Sequence, residues 1–175
     1  YQRAPKSGIV SYRVDGLEEK LTTENFDIIN EKYLESLGLK TGQIISASNE
    51  SGKVIDNFKC YIAITLNSKE AMQAKVNDKV KIRISNDEED AKIIQINEES
   101  GKRTIIFEMN QMSENLINHR KIAVDVIWWD VSGLKVPNQA LIKENELYYV
   151  IRDKAGVQSK ILVKVKKQTD KYAII

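Results

Sequence analysis

The chain has 175 residues, with 27 Lys and Arg against 25 Asp and Glu, a net charge of +2. Charged residues at 30% and hydrophobic ones at 42% place it among folded globular chains and exclude a disordered one. Acids and bases are interspersed, without the basic stripe of a nucleic-acid binder, and no apolar run approaches the ~18 residues that span a bilayer. The length holds one ordinary domain or two to three small ones. No signal-peptide pattern is present. Cys60 is the only cysteine, which excludes an intrachain disulfide and a cysteine-cluster metal site. The chain starts at Tyr1 rather than Met and stops at Ile175 in mid-strand, so we read it as a fragment whose missing ends could include a membrane anchor.

In chain order, Ala4 to Gly8 is turn-rich, and Ile9, Val10, Tyr12 and Val14 predict a short strand closed by the Asp15-Gly16 turn. Thr22 or Thr23 can cap a following helix, since its hydroxyl accepts from an orphan N–H. Phe26, Ile29, Tyr33 and Leu37 share one face at spacings of three and four. Glu24 and Asp27 suit the first turn, and Gly38 suits the left-handed position past the end. The spacing predicts one helix over 23–37.

Gly42 turns the chain into a predicted strand over 43–46, and the turn at 49–52 leads to another over 53–55. Phe58, Cys60, Ile62, Ile64 and Leu66 alternate with more polar residues, a strand with one face buried. Ser68 can cap a helical turn over 69–75. Val80, Ile82 and Ile84 alternate with Lys79, Lys81 and Arg83; the three cations make a solvated strand face or a phosphate-binding one. Asp87, Glu88, Glu89 and Asp90 are placed in a turn, before strands over 91–96 and 103–109 joined at Glu99-Ser100-Gly101. This spacing is that of a small barrel or sandwich.

Residues 113–118 predict one helical turn, followed by His119. The longest alternating run, 120–129, places Ile122, Val124, Val126 and Trp128 on one face. Residues 131–142 form a joint between two β-domains: Ser132-Gly133 reads as a turn, and Pro137, which has no ladder donor, suits a strand edge or a crossing between sheets. Beyond it come strands over 139–142, 147–151, 159–166 and 172–175, with turns at 144–146, Asp153 to Gly156 and Asp170-Lys171. At least eleven strands and one helix define a mainly β chain.

Candidate chemistry is sparse. Cys60 falls on an apolar strand face, where a free cysteine behaves as a small hydrophobe. His119 has no second His or Cys partner nearby. The acidic run at 87–90 lacks the spacing of a calcium loop. No Gly-rich phosphate loop or nucleophile elbow occurs, so no enzyme is expected and no catalytic residue or metal ligand is assigned. Trp128, Trp129, Tyr148 and Tyr149 remain as a possible interaction surface. The rings of Trp128 and Trp129 serve there or as core and joint packing.

The order of these pieces resembles the HlyD-like membrane-fusion, or periplasmic adaptor, proteins, in a short Gram-positive form. Ala4-Pro5-Lys6-Ser7-Gly8-Ile9-Val10 and Asp15-Gly16-Leu17-Glu18 resemble the opening of that family's lipoyl-like (biotinyl-lipoyl) module, and Leu39 to Ile45 its second half. Lys59 to Ile64, then Val76-Asn77-Asp78-Lys79-Val80, resembles the start of the adaptor β-barrel, with Asn77 where the family has Gly. Gly133-Leu134-Lys135-Val136-Pro137 through Ala140-Leu141 resembles the opening of the membrane-proximal domain. The resemblance implies a lipoyl-like module over 1–57 with one inserted helix at 23–37, a small β-barrel domain over 58–130, and a truncated membrane-proximal-like β-domain over 131–175.

It also implies a non-catalytic adaptor of an efflux or secretion transport system, anchored in the cell membrane by a single pass and acting outside the cytoplasm by protein–protein assembly. Its expected partners are a membrane transporter subunit or another envelope protein, with homo-oligomers and no nucleic acid. The insert is one helix of about four turns, not the long hairpin that reaches outer-membrane channels. The lipoyl-like halves lack the lysine turn that lipoylation or biotinylation uses, so no covalent cofactor is expected. The alternative is an envelope-organising or wall-binding β-module without a transporter.

Overall fold

A computed structural model describes residues 6–49, 51–56, 58–111 and 114–175. The chain is mainly β and divides into two compact units, Tyr1–Trp128 and Trp129–Ile175. In the first, a five-stranded antiparallel sheet forms from β3 (Cys60–Leu66), β4 (Lys79–Ile84), β5 (Asp87–Glu99), β6 (Lys102–Met109) and β7 (Asp125–Ile127), in the order β3-β6-β5-β4-β7. Period-two alternation sends Cys60, Val80, Ile82, Ile84, Ala91, Ile93, Ile105, Phe107 and Met109 to one face, where they form a buried core. Two short helices come from this part of the chain, α2 (Lys69–Gln73) and α3 (Glu114–Ile117). The first is capped as expected by Ser68, whose hydroxyl accepts from the Ala71 N–H at 3.2 Å. It adds Ala71 and Ala74 to the core, and Arg103 donates to both of their carbonyls.

The central strand β6 is unlike its neighbours. Thr104, Ile105, Ile106 and Phe107 are all buried, so both faces of this strand are covered. A bulge between Ile93 and Gln95 shifts the register of β5 and brings Gln95 and Asn97 opposite Ile106 and Thr104, away from the main core. The insert occupies this second face. Asn97 Nδ2 donates to the carbonyls of Phe26 at 2.6 Å and Ile29 at 2.8 Å. The Phe26 ring meets Tyr61 edge-on at 5.1 Å, Ile29 is buried, and Lys32–Glu99 and Lys102–Glu31 ion pairs flank them.

This docking corrects the single helix expected over 23–37. The segment is a 3₁₀ turn, Thr23–Asn25, then α1 (Glu31–Ser36). Asn30 rather than Thr22 or Thr23 caps the helix, its Oδ1 accepting from the Tyr33 N–H at 2.8 Å. The Phe26 and Ile29 carbonyls are taken by Asn97, so a continuous helix ladder is replaced by side-chain partners.

Other differences have similar causes. Phe58, expected on the buried face, is exposed because the β3 ladder begins at Cys60. Residues 87–90 lie in β5 rather than in a turn. The reversal falls at Ser85, in the left-handed region at φ +57°, and Glu88 and Asp90 lie opposite Arg83 and Lys81, while Asp87 and Glu89 lie opposite Ile84 and Ile82. Of the run 120–129 only Asp125–Ile127 joins the sheet. Upstream, the Asn118 and Lys121 carbonyls accept from Ile45 and Gly42, and His119 bridges Ile44. For the same reason residues 43–46 make an isolated bridge, not a strand. The expected face of Ile122, Val124, Val126 and Trp128 nevertheless packs on the core. Asn77 adopts φ +78°, which explains a glycine preference at this turn and why Asn replaces it with little strain. A two-stranded sheet pairs β1 (Ile9–Ser11) with β2 (Lys53–Ile55). Of the helical turn expected over 113–118, α3 forms from Glu114, while Ser113 lies outside the described residues.

The second unit holds two three-stranded antiparallel sheets. In one, β8 (Lys135–Pro137) and β12 (Lys167–Gln168) flank β13 (Tyr172–Ile174), which leaves Pro137 on an edge strand as expected. In the other, β9 (Ile142–Glu144) and β11 (Val157–Val163) flank β10 (Leu147–Lys154). The strand expected over 139–142 instead begins with a 3₁₀ turn, Asn138–Ala140. Gly133 is needed for a close approach, not for a turn: a Cβ there would lie 2.4 Å from the Ile175 carbonyl oxygen. Leu134 and Ile175 exchange both backbone hydrogen bonds at this point. Among the described residues no helix is long and apolar enough to cross a membrane.

Asn97→Ala strips the two insert carbonyls of their donor. We expect a loss of about 1–3 kcal/mol in denaturant unfolding, with faster amide exchange concentrated over 20–37. Unchanged exchange there would show that the clamp contributes nothing.

Candidate assembly surfaces and an ion cluster

Cys60 is buried in the core cluster, and desolvation pushes its thiol up to about 11 against a smaller opposing backbone hydrogen bond at Tyr61. It is therefore a thiol at neutral pH, and the thiolate is the nucleophilic form. His119 sits in the bridge to Ile44. Among the described residues no group of three or more His, Cys, Asp or Glu is arranged to hold a metal. The cationic face of β4 meets the acids of β5. Arg83 reaches Glu88 Oε1 through Nε at 3.0 Å and Nη2 at 2.6 Å, with Asp125 3.7 Å away, and Lys81 lies opposite Asp90. Arg83 is held above its ordinary value, first by the hydrogen bond to Glu88. Lys79, the third of these cations, lies opposite Lys92, so acids match only Lys81 and Arg83 across the ladder.

One cluster was not visible in the sequence. The Arg120 guanidinium grips Asp15 with Nε–Oδ2 at 2.9 Å and Nη2–Oδ1 at 2.8 Å, and Nη2 also reaches Glu18 Oε1 at 2.7 Å. Lys53 of β2 donates to the same Glu18 oxygen at 2.8 Å. The four side chains are mostly shielded from solvent, so screening is weaker than at an open surface. Asp15 is held below its ordinary value chiefly by the Arg120 hydrogen bond. Burial pushes Glu18 up, but the Lys53 hydrogen bond and the charges of Lys53 and Arg120 bring it below its ordinary value. Arg120 is raised in turn, first by its bond to Asp15. The cluster ties the Asp15-Gly16 turn, the return strand and the segment after α3 together. A sequence separation of 105 between Asp15 and Arg120 gave no local signal.

Of the four aromatic candidates, Trp128 belongs to the first unit and Trp129, Tyr148 and Tyr149 to the second. Trp128 lies edge-on to Phe107 at 6.4 Å and packs against the core of the first unit. Trp129 belongs to the second unit, where the Lys167 ammonium lies 5.5 Å from its ring centre. Tyr148 and Tyr149 are consecutive on β10 and so point to opposite faces. Lys143 covers the first at 5.8 Å and Lys160 the second at 4.5 Å. The exposed side chains that sequence reasoning passed over are Leu147, Ile151, Val157 and Leu162, on the β10–β11 hairpin.

Removing Arg120 by Arg120→Met should cost about 1–3 kcal/mol, between the values typical of exposed and buried pairs. Because Asp15 and Glu18 are lowered in the folded state, their contribution is complete above the ordinary values of 3.8 and 4.5 and is lost as pH falls through the folded ones. Urea unfolding from pH 7 to pH 2 should show this acid loss in the natural chain and a shallower one in the variant; parallel curves would exclude the cluster as its source. Cys60 should react with a thiol reagent only on unfolding, so labelling that matches a free thiol in native buffer would contradict its burial.

Residues 60–128 match a family model described as "RND related, beta-barrel domain". No match was found among curated proteins. The matched range starts at the first residue of β3 and ends at Trp128, so it takes in the whole five-stranded sheet with α2 and α3. Through this module the chain is similar, at a coarse level, to the membrane-fusion/RND adaptor proteins.

Proposed function

We propose that this protein is a non-catalytic adaptor of an efflux or secretion transport system, anchored in the cell membrane and acting outside the cytoplasm by protein–protein assembly. The observation that carries the reading is the match of the complete five-stranded sheet to an RND-related barrel domain. The flanking architecture supports it. β1 and β2, on either side of the insert, pair in register from Ile9↔Ile55 to Ser11↔Lys53, as two halves of a lipoyl-like module would. A separate β unit follows the barrel-like sheet, as a membrane-proximal-like domain would. Its expected partners are a transporter subunit or another envelope protein, and further copies of itself.

The test uses the full-length protein in its own cells: membranes are fractionated, the anchored form is crosslinked, and captured proteins are identified by mass spectrometry. A transporter permease or its ATPase is the expected product. Recovery of wall-synthesis or division proteins without a transporter would replace this reading with an envelope-organising one. Protein found free in the medium would overturn anchoring altogether.

A further inference from the structure

We propose that the distal end of the β10–β11 hairpin is an interfacial element that binds an anionic lipid surface. The charges are segregated between the two units. Residues 129–175 carry nine Lys and Arg against five Asp and Glu, a net +4, whereas residues 1–128 carry eighteen against twenty, a net −2. The excess of positive charge is thus concentrated in the smaller unit, and its hairpin projects into solvent: every residue from Ile151 to Gln158 is exposed. At this end the hairpin displays Ile151 at 47% and Val157 at 70% exposure. Arg152 and Lys154 lie between these two, and among the described residues neither is in an ion pair.

The register decides what kind of partner fits. Ile151 is opposite Lys160 on one face. Val157 is opposite Lys154, and Arg152 and Lys154 share that other face. Apolar and cationic groups therefore occur on both sides of a narrow ribbon. A protein docked on one face would leave the other side chains in water. End-on entry into the headgroup layer buries the aliphatic tips of both faces and places the cations at the level of lipid phosphates. The turn suits such an end. Ala155 and Gly156 are both left-handed, and Asp153 Oδ1 accepts from the Gly156 N–H at 3.0 Å, so the tip is compact.

This inference does not rest on the adaptor reading, and its test contains no transporter. The 175-residue chain is floated with vesicles of phosphatidylcholine alone and with vesicles containing about one-third phosphatidylglycerol. Binding is expected to the second only, and is expected to be lost at about 0.5 M salt. Ile151→Asp with Val157→Asp, and separately Arg152→Glu with Lys154→Glu, should each weaken binding by at least about tenfold. All four positions are exposed, so unchanged thermal unfolding of the variants would show that the fold is intact. Equal binding to both vesicle types, or none to either, would overturn the proposal. Retention of soluble polyglutamate without vesicle binding would overturn it in favour of an acidic polypeptide partner. Full binding by either double variant would move the site elsewhere.

Discussion

A strand buried on both faces needs two covers, and the first unit is built around that requirement. Thr104 to Phe107 leave no solvent face on β6. One cover is the main core of alternating aliphatic residues with α2 behind it. The other is the insert, which is held by Asn97 and closed by Phe26 and Ile29. Without it, the Ile106 side chain and the neighbouring Thr65–Thr104 hydroxyl pair would face water beside an apolar strand. Fully burying one aliphatic side chain is worth about 1.5–3 kcal/mol, comparable to a large fraction of a small domain's margin. The insert is thus part of the packing of the sheet, and its irregular backbone follows from the hydrogen bonds that fix it there.

Much of this architecture was legible in the sequence wherever one face of a strand is wet. The alternation of Val80, Ile82 and Ile84, the cap at Ser68 and the turns at Gly101 and Gly156 depend on residues close together in the chain. The run Ile105-Ile106-Phe107 does not alternate, which is the mark of two-sided burial, but nothing local says what supplies the second cover. The insert showed the converse problem. Phe26, Ile29, Tyr33 and Leu37 have helical spacing, yet Asn97, 68 residues beyond Ile29, draws its carbonyls out of the helix ladder. Four successive acids look like a solvated turn until the register places two of them, Glu88 and Asp90, opposite Arg83 and Lys81.

The candidate site was less legible than the fold for the same reason. Ring-bearing residues attract notice in a sequence, but Trp128 is spent on Phe107, and the tyrosines are covered by lysines on neighbouring strands. Aliphatic residues such as Ile151 and Val157 look like ordinary strand residues, and only the folded chain shows that they stay exposed near the turn of the hairpin. The Arg120 cluster depends wholly on chain segments brought together by folding.

These arrangements bear on the adaptor function proposed above. A long helical hairpin reaches a distant partner because its contacts lie far from the barrel. Here the insert is short and is fixed to the barrel-like sheet by two carbonyl clamps, an aromatic contact and two ion pairs. To extend it would expose Ile29 and Ile106 and leave Asn97 without its acceptors, so the docked form is favoured by several independent interactions at once. Partners would then have to be met on β surfaces close to the body of the protein. The five-stranded sheet still offers the outer edges of β3 and β7 for such contacts, since neither pairs with a further strand among the described residues. Of these, β3 is the better template. Its ladder with β6 runs over seven residues, whereas β7 holds β4 over only three, and a longer edge provides more backbone groups to a partner in a single register.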